Sequence, residues 1–205
     1  YAKDDAHFSR AYLFNVLPFY HSGLRLSLPV NDRVTVMYAL TNGIQQTEEF
    51  NDFKSHHVTA IVTPAPGLTW TTSVYAGREQ PDGGATSGPD GHFRVLDSYV
   101  SWQATAALDL GLDLTHVTNQ VRREDDALTL QGAATYARYR LSPRVALAAR
   151  YERLDDDGLF AGLAQMLHEV TATAEWRAAE GFLVRVEARR DSSNQPGFTG
   201  PAPGD

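Results

Sequence analysis

The histidines are the side chains of this sequence with the clearest catalytic potential, and one of them directly precedes a serine. His21 and Ser22 are adjacent, and a histidine that contacts a serine hydroxyl can activate it as a nucleophile. Both residues fall in a predicted β-strand, where neighbouring side chains point to opposite faces, so an interacting pair must be two residues apart. The spacing therefore predicts no catalytic dyad at this place.

Metal binding is the second chemistry that the residue types allow. His56 and His57 are adjacent and diverge on a strand, whereas a zinc site needs three or four converging ligands. His116 and His168 lie near predicted loop ends, where solvated or interfacial histidines are ordinary. We therefore expect no metal site and no cofactor.

Two acidic runs, Glu124-Asp125-Asp126 and Asp155-Asp156-Asp157, offer the oxygen ligands that Ca²⁺ and Mg²⁺ prefer. Neither run has the spacing of an EF-hand, and such runs are most often solvated loop charge. Divalent-cation binding by these loops is left open.

A larger set of charged residues alternates with apolar ones along the chain, as Arg185 and Glu187 do with Val184 and Val186. On the wall of an aqueous pore such charges set selectivity, and their mixed signs argue against strong ion selectivity. The alternative is that they form cross-strand salt bridges that stiffen the wall. The residues predicted to line a pore are Arg25, Asp109, Asp113, Arg150, Glu152, Glu169, Glu175, Arg185, Glu187 and Arg189.

These residues must be positioned by strands, because the dominant pattern of the chain has a period of two residues. Leu108, Leu110, Leu112 and Leu114, for example, alternate with polar residues or glycine. We predict about ten strands of about nine to eleven residues, the length that a tilted strand needs to cross a bilayer.

The connections between these strands alternate in length. Long polar loops are predicted at 42–53, 78–92, 119–126 and 155–165. The turns between them are short, at 29–33, 63–67, 103–107, 142–143 and 177–181. Short turns on one side and long loops on the other are typical of up-and-down membrane barrels.

Turn spacing also predicts strand register, because opposed residues share a face and flanking apolar residues must be an even number apart. The Trp176/Phe182 spacing places Ala174 opposite Val184, and Glu169 opposite Arg189. Around residues 135–138 the apolar row changes face, which predicts a β-bulge there.

The apolar face carries aromatic residues beside the short turns, where the interfacial girdle of a membrane barrel belongs. These residues are Trp70, Trp102, Trp176 and Phe182. A soluble sandwich would turn its polar face outward instead, and alternation alone allows both. Strand length, loop asymmetry and aromatic placement favour an all-β fold, an antiparallel up-and-down transmembrane β-barrel that is incomplete in this chain.

Composition limits the remaining choices. The 205 residues predict one partial barrel domain over 1–205, and the net charge of −7 gives no general attraction to nucleic acid. Cysteine is absent, which excludes disulfides and thiolate sites. With short turns on the periplasmic side, both chain ends would lie outside the cell, so we expect a fragment that lacks strands at both ends.

Seven segments distributed along the chain form a recognisable set. They are Ser9-Arg10-Ala11-Tyr12-Leu13-Phe14-Asn15, Pro18-Phe19-Tyr20-His21-Ser22-Gly23, Tyr38-Ala39-Leu40-Thr41-Asn42-Gly43, Gly91-His92-Phe93-Arg94, Arg150-Tyr151-Glu152, Asp156-Asp157-Gly158-Leu159-Phe160 and His168-Glu169-Val170-Thr171. These segments resemble the OmpL-like β-barrel porin family. The resemblance covers nearly the whole chain and implies an outer-membrane protein of a Gram-negative bacterium.

The sequence as a whole predicts a non-enzymatic outer-membrane porin that allows passive diffusion of small hydrophilic solutes. Its expected partners are those solutes, outer-membrane lipid and lipopolysaccharide, and homo-oligomers are left open. A barrel enzyme acting on lipid and a non-conducting structural or surface barrel remain the alternatives.

Overall fold

The structure is a computed structural model that describes residues 5–49, 51–79, 90–160 and 162–196. It consists of one short helix followed by ten strands. These elements are α1 (Tyr12–Val16), β1 (Gly23–Asn31), β2 (Val34–Thr41), β3 (Ser55–Ala65), β4 (Leu68–Gly77), β5 (Phe93–Gln103), β6 (Leu108–Asn119), β7 (Leu128–Ser142), β8 (Val145–Asp157), β9 (Ala164–Ala179) and β10 (Phe182–Ser193).

All ten strands belong to one sheet, in which each strand pairs antiparallel with the next along the chain. β1 and β10 are the two edges, and within the described residues the sheet is not closed by a pairing between them. The predicted all-β, up-and-down architecture is confirmed. No helix in the described part of the chain is long and apolar enough to cross a membrane.

Several strands differ in length from the prediction. They range from 8 residues in β2 to 16 in β9, because the β8–β9 ladder continues to the pair Asp157 and Ala164. The loop predicted at 155–165 is therefore shorter, and β10 ends at Ser193. Residues 197–205 lie outside the described part of the chain.

The register of the last hairpin differs from the prediction by two residues. Val184 lies opposite Trp176 and Arg189 opposite Thr171, with a register shift beside Phe182. The turn contains Gly181 at a φ of +74°, a left-handed conformation that glycine adopts without strain. A shift of two residues leaves every side chain on its predicted face.

The predicted bulge at 135–138 is absent, since β7 pairs continuously with β6 through this stretch. Leu130 lies on the same face as Arg138, and there it packs with Leu13 and Leu154 in an apolar cluster. The apolar row does not change sides; apolar side chains occur on both faces of β7.

Candidate functional site: the inner face of the sheet

The two faces of the sheet carry opposite kinds of side chain. One face, the outer face, exposes apolar residues such as Leu26, Trp176 and Val186, which are 60%, 53% and 69% exposed. The other, the inner face, contains charged residues that are buried, among them Arg150 and Glu152. An apolar outside with a polar inside is the arrangement of a membrane barrel and the reverse of a soluble sandwich.

All ten residues predicted to line a pore lie on the inner face, although their surroundings differ. Arg150, Glu152, Glu169 and Glu175 are buried. Arg25, on the edge strand β1, is exposed and lies beside a cavity of about 320 Å³. The remaining five, all partly buried, are Asp109, Asp113, Arg185, Glu187 and Arg189.

Residues 5–17, which we call the inner segment, lie against the inner face. Leu13 is fully buried in one apolar cluster. The side chains around it come from six consecutive strands, β4 to β9, so the sheet curves around this segment. They are Tyr75, Val95, Val117, Leu130, Leu154 and Leu167.

Two carboxylates of the inner face hold the backbone of the inner segment. Glu152 accepts hydrogen bonds from the N–H groups of Tyr12 and Leu13, both at 2.6 Å. These N–H groups begin α1 and have no partner within the helix. Glu187 accepts from the N–H groups of Phe8 and Ser9, at 2.7 and 2.9 Å.

Two arginines bind carbonyl groups of the same segment. Arg150 donates from Nη1 to the carbonyl oxygen of Ser9 at 3.0 Å, and from Nε to Glu169 at 2.6 Å. Arg189 donates from Nη1 to the carbonyl oxygen of Arg10 at 2.6 Å. Charged side chains of β8 and β10 thus satisfy both backbone donors and backbone acceptors of the inner segment.

The inner-face charges also pair with one another. Glu175 accepts from Arg138 at 2.6 Å and from Arg185 at 3.2 Å, and Arg140 pairs with Asp109. The alternative considered for these charges, cross-strand salt bridges within the wall, therefore describes part of this face. Arg138 and Arg140 also lie on the inner face, although they were not among the residues predicted to line a pore.

Two titratable groups of the inner segment are perturbed by burial. Burial lowers the pKa of His7, and the positive charge of Arg150 lowers it further. Burial raises the pKa of Tyr12 to about 12, and its hydrogen bond to Asp191 acts in the same direction. Both shifts favour the neutral form of a side chain that is enclosed between the segment and the sheet.

The inner segment leaves open space on the inner face. A cavity of about 440 Å³ separates it from the wall formed by β5, β6 and β7. Its lining mixes apolar and polar side chains, and the polar ones include Ser9, Tyr99, Asp109, Tyr136, Arg138 and Arg150.

The adjacent residues His56 and His57 point to opposite faces as predicted, whereas His21, contrary to the prediction, does not lie on a strand. His56 lies on the outer face, 2.8 Å from the hydroxyl of Tyr38, whereas His57 lies beside a cavity of the inner face. His21 precedes β1 instead of lying on it, because the β1–β2 ladder begins at Gly23. Its ring stacks on Tyr75 at 5.4 Å, a contact that the sequence pattern did not predict.

The acidic run at 155–157 has a structural explanation. Asp156 is buried, and its carboxylate accepts hydrogen bonds from the N–H groups of Gly158, Leu159 and Phe160. Within the ranges that the structure describes, no three histidine, aspartate or glutamate side chains are grouped as metal ligands.

The four predicted girdle residues all lie on the outer face beside short turns. Trp70, Trp102, Trp176 and Phe182 are 48%, 45%, 53% and 60% exposed. They therefore stand at the end of the sheet opposite the long loops.

Sequence reasoning missed the role of the inner segment. The segment has no period-two pattern, and its contacts span 139 to 179 residues of sequence, from Leu13–Glu152 to Phe8–Glu187. Contacts at such separation follow only from the curvature of the finished sheet.

Comparisons with known proteins agree with this geometry. The family model described as "Putative beta-barrel porin-2, OmpL-like" matches residues 1–204. A solved structure described as "Outer-membrane expressed OmpT of Vibrio cholerae" is similar at a TM-score of 0.60 and 12% identity. The match covers 82% of this chain and 53% of that chain, so this chain spans about half of its length. No curated protein sequence matches the chain.

Proposed function

The chain belongs to the OmpL-like β-barrel porin family of the bacterial outer membrane, and from that premise we propose that the full-length protein is a non-enzymatic porin. It lets small hydrophilic solutes diffuse across the outer membrane of a Gram-negative bacterium. The observation that carries this proposal is the polar inner face with open space between the inner segment and the opposite wall.

The charges of that space favour weak ion selectivity. Arg138 and Asp109 line this space. Each is neutralised by a partner of opposite charge, Arg138 by Glu175 and Asp109 by Arg140, so no strong potential of one sign develops. A pore with such a wall discriminates mainly by solute size.

Single-channel recording of the full-length protein in planar bilayers tests the proposal. We expect discrete conductance steps, and larger steps for the double variant Glu152→Ala/Glu187→Ala, because it removes the carboxylates that hold the inner segment across the lumen. Arg144→Gln is the matched control, since Arg144 is an exposed side chain in a short turn away from the inner face. Conductance at the level of the protein-free bilayer in both wild type and double variant would contradict it.

The docked inner segment also favours a second candidate, a barrel that the segment keeps closed. In that case the wild-type protein would not conduct, whereas the double variant would. Hydrolysis of phospholipid by the purified protein would contradict the non-enzymatic part of the proposal.

A further inference from the structure

Most arginines of the inner face have a carboxylate partner, Arg25 on the edge strand being an exception, whereas three arginines of the outer face have none in the described part of the chain. On the inner face, Arg138 and Arg150 each lie 2.6 Å from a carboxylate oxygen. On the outer face, Arg94, Arg153 and Arg190 are exposed. Among the described residues, no carboxylate lies within 4 Å of these three.

Such arginines need a counter-charge from outside the protein. A guanidinium on the lipid-facing surface of a membrane protein is costly unless it reaches the interface or an anion. Arg94 and Arg153 lie in the half of their strand that adjoins a long loop, and Arg190 lies at the same end of the sheet. Long loops of outer-membrane barrels are extracellular. They therefore stand at the level of the outer leaflet.

Arg153 borders a groove that has an apolar part and a polar part. The groove lies on the outer face across β5 to β8 and has a volume of about 490 Å³. Leu96, Leu114 and Ala133 form its apolar part, and His116, Gln131 and Arg153 its polar part.

The neighbours of Arg153 extend the polar part. His168 lies directly opposite Arg153 on β9, and its Nδ1 is 3.0 Å from the hydroxyl of Tyr151. This hydrogen bond fixes the imidazole beside the guanidinium. Asp155 is the one carboxylate that lines the groove among the described residues.

We propose that this groove binds lipopolysaccharide, the outer-leaflet amphiphile whose headgroup carries phosphates. Arg153 binds a headgroup phosphate, for which the planar guanidinium is a bidentate donor, and an acyl chain lies over Leu96 and Leu114. Asp155 lines the same groove, and its negative charge opposes binding of the phosphate. The site is independent of pore conduction, because it lies on the outer face.

Binding of purified lipid A to the full-length protein in detergent, measured by native mass spectrometry, tests this site. EDTA is present throughout, so that a divalent cation held by Asp155 cannot bridge to the phosphate. We expect Arg153→Gln to weaken binding about tenfold, the effect of losing one charge-assisted contact. Arg144→Gln, at the opposite end of the sheet, should bind as the wild type does.

Two further measurements do not depend on the folding of Arg153→Gln. Enzymatically dephosphorylated lipid A should bind the wild-type protein about tenfold more weakly than phosphorylated lipid A. Ala133→Phe fills the apolar part without changing the charge and should weaken both lipids.

The proposal is overturned if both lipids bind the wild type equally, or if Arg153→Gln binds phosphorylated lipid A as the wild type does. It is also overturned if phosphatidylglycerol competes as well as lipid A. A second copy of the chain on this face would appear as a dimer that Arg153→Gln dissociates in the absence of lipid, and that result would overturn the proposal too.

Discussion

Glu152 on β8 and Glu169 on β9 lie directly opposite each other on the inner face, and both are fully buried. Like charges in this position destabilise a sheet. Here each carboxylate has donors of its own: Glu152 binds the backbone of α1, and Glu169 binds Arg150 and Thr171. The inner segment is therefore part of what makes this pair of strands stable.

Removing the Glu152 carboxylate should release the inner segment. Glu152→Ala leaves the N–H groups of Tyr12 and Leu13 without their acceptor, and hydrogen bonds to a charged group contribute about 2 kcal/mol each. We expect faster hydrogen–deuterium exchange at these two amides. Asp155→Ala, an exposed acidic position on the same strand, is the control. Unchanged exchange in Glu152→Ala would show that the segment is held by other contacts.

The close approach of Leu13 to Gly132 should make these two positions energetically coupled. A Cβ atom added at Gly132 would lie 2.2 Å from Cδ2 of Leu13, so Gly132→Ala forces the leucine to move, at a cost of about 1–3 kcal/mol. Leu13→Ala removes a fully buried side chain and should cost about 2–5 kcal/mol.

The double variant Gly132→Ala/Leu13→Ala should be less destabilised than the sum of the two single variants, because the added methyl group occupies the space that the leucine leaves. Urea unfolding in lipid vesicles measures the three free energies. Strict additivity would mean that the two residues are not in contact.

His7 should make docking of the inner segment depend on pH. Burial and the charge of Arg150 lower its pKa, and they outweigh the opposing effects of Glu187 and Glu169. A lowered pKa means that the docked state favours neutral His7. The contribution of His7 to docking is therefore fully present above a pH of about 6.5, the pKa of histidine in the unfolded chain. It is lost as the pH falls through the lowered pKa of the docked state.

The ¹³Cε1 chemical shift of His7 against pH gives the midpoint, and crosslinking of the inner segment to β9 at the same pH values reports docking. His7→Gln should remove the pH dependence between pH 7 and 5. A midpoint at or above 6.5 would contradict the predicted effect of burial.

The three tryptophans should report the position of the membrane boundary. Trp70, Trp102 and Trp176 are exposed on the outer face beside short turns, so we expect each to lie near the headgroups. In variants that keep one tryptophan each, lipids brominated near the headgroup should quench fluorescence more than lipids brominated near the chain end. Strong quenching by aqueous iodide with none by brominated lipid would contradict the girdle.

The sequence predicted the faces of the strands better than their register. Period-two alternation placed Arg185 and Glu187 on one face and Val186 on the other, which the structure confirms. It placed Val184 two residues away from its true partner Trp176, because the turn spacing allows any even shift and the bulge beside Phe182 selects one of them.

The contacts of the inner face were less predictable than the face itself. Leu130 is apolar although it lies on the polar inner face, and its packing with Leu13 explains why it is buried there. A pattern within one strand carries no information about a segment that packs against it from elsewhere in the chain.

The anchoring of the inner segment by Glu152 and Glu187 has a consequence for the order of assembly. Residues 8–13 leave the ribosome before the carboxylates that bind them, which are made 139 to 179 positions later. The inner segment must therefore wait, unpaired, until β8, β9 and β10 are in place. Docking of the inner segment is therefore a late step of folding. The moment at which this segment becomes protected from a protease would show when the sheet is complete.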